Sequence, residues 1–281
     1  MLLHSVVSAG TYLAAKRALD ELPPWEVALA RFTLAGLIFG GLLLWRRAKI
    51  DRKDLPGLVA LGFVAVPLNQ GFFLAGLSRS TPGHAALLYA LTPVFVFLLA
   101  RVRLGERVTL AKLAGIAIAF AGVVVVLLAR GAVAFGGSSS ALFGDLLILL
   151  GVMAWAVFAV AGKVYAEKYG AVVSTSAAIA LGALLYLPFG LAMSDLSRFA
   201  TLSATGWASL GYLIVFTSVV AYLAYYWALR RTEASRVAIW SNLQPVLTAG
   251  LAWAVYDERL TGAFLAGGAM VLLGVVLTER G

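Results

Sequence analysis

The chain contains two similar stretches, PVFVFLLARVRLGERVTLAKLAGIAIAFAGVVV at residues 93–125 and PVLTAGLAWAVYDERLTGAFLAGGAMVLLGVVL at residues 245–277. They lie 152 residues apart, and the same offset aligns residues 73–125 with residues 225–277 without a gap. About a third of the aligned positions are identical, among them a proline, two glycines and the polar turn Glu-Arg-x-Thr that begins at Glu106 and Glu258. Chance similarity between Ala/Leu/Val-rich helices does not explain a matched polar turn. We therefore interpret the chain as an internal duplication.

The composition places both copies in a membrane. Hydrophobic residues make up 62% of the 281 residues, charged residues make up 12%, and the mean hydropathy is +0.95. Soluble domains are about half apolar and about a quarter charged, so a soluble fold is excluded. A membrane-spanning helix needs about 20 mostly apolar residues. The chain has ten such segments, and we predict an all-α integral membrane protein with ten transmembrane helices at 2–22, 25–45, 55–77, 82–104, 108–128, 142–165, 172–193, 204–229, 234–256 and 260–277.

The predicted helices fall into two units of five. Residues 129–141 have the composition of a loop, with three glycines and three serines, and separate a first unit at 2–128 from a second at 142–278. Because five is odd, the second unit must enter the membrane in the opposite direction. Inverted repeats of this kind are typical of secondary transporters, whose solute site lies near the membrane midplane between the repeats. We therefore predict a central cavity between the two units and transport by alternating access.

Lys and Arg are distributed unequally between the predicted loops. Fifteen lie on one side of the membrane and six on the other, while Arg31 lies inside the second segment and is counted on neither side. Cytoplasmic loops carry the excess of Lys and Arg, so both termini are predicted to be cytoplasmic. The same rule explains the net charge of +9, and no nucleic-acid partner is expected.

Several motifs resemble one family. Residues 35–45 following Arg31, the passage from Pro93 into Gly105-Glu106-Arg107, and the glycines that end each unit resemble the EamA-type drug/metabolite transporters. The resemblance covers both units and is strongest to bacterial exporters of aromatic and other amino acids. It implies a ten-helix exporter in a bacterial inner membrane. The chain departs from the pattern at Asp257, where the first copy has Gly105, and at Ala9, where the family commonly has Trp.

Two prolines are candidate hinges. Pro93 and Pro245 are predicted to lie mid-helix, where a proline removes a backbone hydrogen bond. Each is either a packing kink or a hinge in a cavity wall, and their symmetric placement favours the hinge. Along the same segments, i, i+4, i+8 spacing places His84 on one face with Thr92, and Arg236 on one face with Gln244.

Polar and aromatic side chains at membrane depth are candidates for the cavity lining, because polar groups there usually face the bundle interior. Hydrogen bonding between helices is the alternative role of each polar group, and aromatic belts at the membrane surface explain other aromatic residues. Lys163 either extends to the membrane surface or binds a substrate carboxylate. An aromatic wall would suit amphipathic, aromatic or cationic solutes. The candidate cavity residues are Asn69, His84, Tyr89, Trp155, Lys163, Tyr222, Trp240, Asn242 and Gln244.

Signatures of catalysis are absent from the sequence. It has no cysteine and none of the motifs G-x-x-x-x-G-K-[ST], H-E-x-x-H and G-x-S-x-G. No Asp or Glu falls in the middle of a predicted helix, so coupling to protons or sodium through a carboxylate is unsupported. We expect no enzyme activity, cofactor or metal site. The expected partners are a small-molecule solute and the lipid bilayer, and the chain can act as a monomer. A multidrug, cationic-compound or nucleotide-sugar carrier on the same scaffold, and a channel, stay open as alternatives.

Overall fold

The computed structural model describes residues 1–129, 139–247 and 262–281, and every regular element within these ranges is helical. The α-helices of the first half are α1 (Leu2–Ala9), α2 (Thr11–Leu19), α3 (Pro24–Trp45), α4 (Leu55–Phe63), α5 (Asn69–Leu77), α6 (Pro82–Tyr89), α7 (Thr92–Arg103) and α8 (Leu110–Ala129). Those of the second half are α9 (Ser139–Tyr169), α10 (Ala171–Met193), α11 (Ala204–Gly211), α12 (Tyr222–Leu229), α13 (Ala234–Ala238) and α14 (Gly262–Arg280). Short 3-10 helices occupy Arg52–Asp54, Leu196–Thr201 and Ile239–Asn242, and π-helical turns occupy Val64–Leu68 and Tyr212–Ala221.

The helices confirm an all-α multi-pass membrane protein. Within the described ranges, six stretches are long and apolar enough to cross a membrane: Pro24–Trp45, Arg52–Leu77, His84–Arg103, Ser139–Tyr169, Ala171–Met193 and Ala204–Leu229. Each coincides with a predicted segment. The full count of ten crossings and their inverted arrangement stay predictions. Most of the predicted linker, the ninth segment after residue 247, and the residues Asp257 and Glu258 lie outside the described residues.

The fourth predicted segment is divided, which corrects the expected position of its proline. The helix α6 ends at Tyr89 and α7 begins at Thr92, so Pro93 lies in the first turn of α7 instead of mid-helix. Proline is favoured there because the first amides of a helix have no partner within it. Before Pro245 the chain also leaves α-helical geometry, as the 3-10 helix Ile239–Asn242. These breaks interrupt the 3.6-residue period of the helix. The predicted faces, His84 with Thr92 and Arg236 with Gln244, depended on that period, so the prediction was wrong.

Local irregularities recur at matching places in the two halves. Continued upstream, the offset of 152 carries the π-helical turn Val64–Leu68 into the π-helical segment Tyr212–Ala221. Arg79 donates to the carbonyl oxygen of Ala75 at 2.7 Å, and its counterpart Arg231 donates to the carbonyl oxygen of Trp227 at 3.2 Å. The duplication is therefore visible in backbone geometry as well as in sequence.

The helices α8 and α14 approach each other at glycines. A Cβ atom on Gly115 would come within 2.7 Å of the carbonyl oxygen of Gly274, and one on Gly122 within 2.6 Å of that of Gly267. Gly267 is the repeat counterpart of Gly115, and Gly274 is that of Gly122. Each glycine thus contacts the counterpart of the other, which is the reciprocal pattern that a two-fold axis produces.

Charged residues at one end of the bundle, here called the basic end, join loops of both halves. The carboxylate of Glu106 accepts the backbone N–H of Ala234 at 2.6 Å, and the Nζ of Lys112 lies 2.6 Å from a carboxylate oxygen of Glu233. These bonds fix the start of α13, because the first amides of a helix lack partners within it. The basic end comprises residues 46–54, 101–112, 163–169, 229–236 and 279–281.

The opposite end holds a second set of polar contacts between the halves. The hydroxyl of Ser203 donates to Glu21 at 2.7 Å, and the backbone N–H of Asp195 donates to the carboxylate of Glu26 at 3.0 Å. This end comprises residues 16–26, 77–84, 139–145 and 194–207. The structure thus brings together loops that the charge analysis assigned to the same side. Which end is cytoplasmic stays a prediction.

Candidate solute cavity

A cavity lies between the two halves in the interior of the bundle. Its volume is about 60 Å³, smaller than that of open small-molecule sites, roughly 300–1,000 Å³. Its walls combine aromatic rings, hydroxyl and amide groups and one guanidinium. The lining residues are His4, Ser8, Thr11, Tyr12, Arg31, Gln70, Phe73, Tyr89, Trp155, Thr217, Tyr222, Ser241 and Gln244.

Arg31, the guanidinium of this wall, is fixed by neutral groups. It lies on α3, and only 1% of its surface is exposed. Its Nε donates to the hydroxyl of Ser218 at 2.8 Å, and its Nη1 donates to the side-chain oxygen of Gln70 at 2.7 Å. The guanidinium carbon also lies 4.8 Å from the ring centre of Phe32. Within the described part of the chain, no Asp or Glu forms an ion pair with Arg31.

Side-chain amides connect Arg31 to the aromatic residues. The amide nitrogen of Gln70 donates to the hydroxyl of Tyr222 at 3.2 Å and also to the side-chain oxygen of Asn69. Asn69 in turn donates to the carbonyl oxygen of Gly151 at 2.7 Å and to the hydroxyl of Tyr89 at 3.3 Å. Gln70 and Tyr222 are 152 residues apart, so this bond joins equivalent places in the two halves. Asn69 therefore supports the lining residue Gln70 from behind.

Each half contributes a group of three aromatic rings. In the first half, the ring of Tyr89 lies 6.0 Å from that of Tyr12 and 5.4 Å from that of Phe73, centre to centre. In the second half, the ring of Trp155 lies 5.3 Å from that of Tyr222 and 5.2 Å from that of Tyr225. Tilted and edge-to-face pairs at such distances are favourable arrangements. They give the cavity ring faces and edges from both halves.

The structure brings together some of the predicted cavity residues. Tyr89, Trp155, Tyr222 and Gln244 all line the cavity, and the hydroxyl of Tyr12 donates to the side-chain oxygen of Gln244 at 3.2 Å. Asn69 lies one layer behind the lining. Asn242 is fully buried, and neither of its side-chain atoms has a hydrogen-bond partner among the described residues.

Three other predicted residues are bonded away from the cavity lining. The Nδ1 of His84 lies 2.7 Å from Asp145 at the opposite end. Lys163 donates to the carbonyl oxygens of Leu229 and Thr232, at 2.6 and 2.7 Å. These carbonyl groups lie at and just after the end of α12, where no further helical turn supplies N–H partners. The indole nitrogen of Trp240 donates to the carboxylate of Glu279 at 2.6 Å.

Sequence reasoning missed the polar centre of the cavity. Arg31 and Tyr12 were not among the predicted cavity residues, although an arginine inside an apolar segment is by itself a sign of function. The partner Ser218 could not be found from the sequence, because it lies 187 positions away from Arg31. The signal available for Arg31 was therefore its charge alone.

A multi-pass helical bundle with a polar and aromatic cavity between duplicated halves belongs to the class of membrane transport proteins. The EamA-like transporter family matches the chain twice, over residues 1–128 and 142–280. These ranges cover more than half of the sequence, and the chain belongs to this family.

Curated relatives match the chain along nearly its whole length. An "Uncharacterized transporter" of Archaeoglobus fulgidus is 34% identical over 98% of this chain and 94% of the relative. The "Probable terminal-alkyne amino-acid exporter" of Streptantibioticus cattleyicolor is 29% identical over 100% of this chain and 92% of the relative. The "Uncharacterized inner membrane transporter YedA" of Escherichia coli is 26% identical over 97% and 87%, respectively.

A solved structure, described as "Crystal structure of protein", has the same fold. It superposes with a TM-score of 0.81, and the match covers 99% of this chain and 96% of the solved one. The sequence identity is 22%, so the comparison supports the fold alone.

Proposed function

We propose that this chain is a secondary transporter that exports small metabolites, amino acids including aromatic ones among them, across a bacterial inner membrane. In this proposal ten helices form two inverted five-helix units at 2–128 and 142–278, and both termini are cytoplasmic. The observation that carries the proposal is the cavity between the halves, whose lining combines polar groups with three aromatic rings from the first half and two from the second.

The inverted arrangement is supported by contacts that are reciprocal under the repeat. Gly115 with Gly274 and Gly122 with Gly267 form one such set. The bond between Gln70 and its own counterpart Tyr222 supports an axis that relates the halves and passes close to this pair. Two such halves can exchange conformations, which gives the two states that alternating access requires.

Pro93 and Pro245 are proposed as hinges for that exchange. Near both prolines the regular α-helix is interrupted, by the division between α6 and α7 and by the 3-10 helix Ile239–Asn242. Hinges are positions at element ends that absorb changes in backbone angles. Gln244, beside Pro245, lines the cavity, so movement there would reshape the wall.

A cationic solute is the second candidate, because aromatic faces attract cations. The buried guanidinium of Arg31 in the same wall opposes it, since like charges repel strongly away from water. An amino acid fits both features, with its carboxylate near the guanidinium and its side chain among the rings. The name of the 29% identical relative, an amino-acid exporter, agrees with this choice. The inner-membrane location is supported by the name of the Escherichia coli relative.

Purified protein in proteoliposomes tests the proposal. We expect uptake or counterflow of at least one labelled amino acid from a panel that includes the aromatic ones, measured with and without imposed proton and sodium gradients. Trp155→Ala should abolish most of this transport, because Trp155 lines the cavity. Trp45→Ala should leave it nearly unchanged, since Trp45 is 76% exposed at the end of α3.

Either of two results would contradict the proposal. One is the absence of transport for every amino acid in the panel. The other is ion currents of channel size in planar bilayers containing the same protein.

A further inference from the structure

We propose that Arg31 binds the carboxylate of the transported solute and is the main specificity determinant of the cavity. This inference rests on the proposed function and narrows its substrate class to small carboxylates that carry an apolar or aromatic group. It also assigns a role to the residue that sequence reasoning left without one.

The first argument is the missing negative charge. Arg31 is a cation that is 1% exposed inside a membrane protein, and in the described ranges it has no acidic partner. A buried charge is strongly destabilising unless another charge pairs with it. Ser218 and Gln70 orient the guanidinium but carry no charge. An anion that enters the cavity would supply the absent charge.

The second argument is the number of donors left for a ligand. A guanidinium has five N–H groups, and two of them are used, one on Nε for Ser218 and one on Nη1 for Gln70. Even when the nearby hydroxyl of Tyr222 is counted as a third acceptor, at least two N–H groups remain without a partner among the described residues. Because Arg31 belongs to the cavity wall, these donors are available to a ligand there. Paired guanidinium N–H groups match the two oxygens of a carboxylate.

The third argument is that the guanidinium is held in place before a solute binds. Ser218 itself donates to the carbonyl oxygen of Leu213 at 2.9 Å, inside the π-helical segment Tyr212–Ala221. Gln70 is fixed on its other side by Asn69 and Tyr222. Partners that are themselves bonded leave little freedom to the guanidinium, and preorganisation of this kind raises affinity by lowering the entropy lost on binding.

The rest of the wall indicates what accompanies the carboxylate. The rings of Tyr89, Trp155 and Tyr222 line the same cavity as Arg31 and offer apolar surface. Among the described residues, the lining contains no Asp or Glu that could pair with an ammonium group. Binding should therefore depend on the carboxylate of the solute more than on its amino group.

The experiment compares 3-phenylpropionate with its amide, 3-phenylpropanamide, which has the same shape and no charge. Binding of each to purified protein is measured as ligand-induced thermal stabilisation, for the wild type, Arg31→Gln, Arg31→Lys and Ser218→Ala. Transport of L-phenylalanine and of phenethylamine, which lacks the carboxylate, is measured in proteoliposomes. Charge-assisted hydrogen bonds to carboxylates are worth about 10- to 100-fold in affinity.

We expect the wild type to prefer the acid over the amide by about that factor and to reject phenethylamine. Arg31→Gln should bind both compounds equally, at the affinity that the wild type has for the amide. Arg31→Lys should keep part of the preference, because it keeps the charge without the paired geometry. Ser218→Ala should retain a preference above one, which keeps the inference testable even if Arg31→Gln does not fold.

Four outcomes would overturn the inference, and they separate it from the proposed function. If the wild type binds acid and amide equally, or if Arg31→Gln weakens both in parallel, Arg31 has a structural role while transport of phenylalanine can persist. If the wild type transports phenethylamine and not phenylalanine, the solute is a cation. If neither compound binds and no amino acid is transported, the proposed function fails together with the inference.

Discussion

The two halves meet in two regions of opposite character, the glycine contact between α8 and α14 and the cavity around Arg31. At the glycines, backbone meets backbone with no room for a methyl group, and each contact is repeated by its counterpart. At the cavity, about 60 Å³ is left open, and the partners differ: Gln70 of the first half faces Tyr222 of the second. Reciprocal contacts hold the halves together, and the departure from symmetry supplies the chemistry for a solute.

The largest effect is expected at the glycine contact. Gly122→Ala places a Cβ atom 2.6 Å from the carbonyl oxygen of Gly267, so the helices must separate. Overpacking typically costs about 1–3 kcal/mol and can cost more, and here rigid backbone cannot yield. We expect a clear fall in the melting temperature and in the yield of folded protein.

The matched control for that variant is Gly41→Ala on α3, where a Cβ atom would meet nothing within 4 Å. Alanine is the better helix former by about 1 kcal/mol, so this variant should be as stable as the wild type or slightly more stable. Equal melting temperatures for Gly122→Ala and Gly41→Ala would contradict the close contact between α8 and α14.

A smaller and different effect is expected at the cavity. Tyr222→Phe removes the hydroxyl that accepts a hydrogen bond from Gln70, and with it one constraint on the group that holds Arg31. A hydrogen bond contributes about 0.5–1.5 kcal/mol, so solute affinity should fall a few-fold while the melting temperature changes little.

Tyr212→Phe is the control for the cavity variant. It removes a hydroxyl that donates to the carbonyl oxygen of Val7 at 2.6 Å, and Tyr212 does not line the cavity. It should lower stability without changing the preference for an acid over its amide. If Tyr212→Phe changed that preference as much as Tyr222→Phe does, the effect of Tyr222 would not be specific to the cavity, and the prediction would be contradicted.

The smallest effect is expected at the surface of the basic end. Hydrogen bonding to Lys168 lowers the pKa of Asp51, and both side chains are exposed. A carboxylate whose pKa is lowered in the folded state stabilises the folded protein when the pH is above its unfolded-state pKa, about 3.9. This contribution is lost as the pH falls through the folded-state pKa. Asp51→Asn should therefore lower the melting temperature slightly at pH 7, by less than Gly122→Ala does. The difference from the wild type should shrink below pH 4, and a difference that grows there would contradict this pairing.

Much of the fold could be predicted from apolar runs, because a membrane permits few alternatives to helices. The limits of α3 and α10 lie within a residue of the predicted segments, since charges or turn residues flank both. The division at Pro93 was missed because a proline in an apolar run is compatible with a kinked helix as well as with a new first turn. The sixth segment begins at Ser139 and not at residue 142, because serines can extend a helix without adding hydrophobicity.

The cavity could be predicted only in part. Tyr89, Trp155 and Tyr222 were identified as candidates by their positions inside apolar segments, because a large ring with a polar group is uncommon there. It could not show that Asp145 binds His84, or that Glu279 binds Trp240, since those pairs are 61 and 39 positions apart. Helical periodicity indicates a face of a helix, and it contains no information about which distant residue lies opposite.

The inverted relation of the halves is the central claim, and cysteine labelling of Arg79 and Arg231 tests it most directly. The two arginines are repeat counterparts, are both exposed, and make the same type of bond to a carbonyl oxygen four residues earlier. The chain has no cysteine, so Arg79→Cys and Arg231→Cys each introduce a unique thiol. In intact cells, a membrane-impermeant maleimide should label Arg79→Cys from outside, whereas Arg231→Cys should react only after the membrane is permeabilised. Labelling of both variants from the same side would contradict the inverted repeat and the transport mechanism built on it.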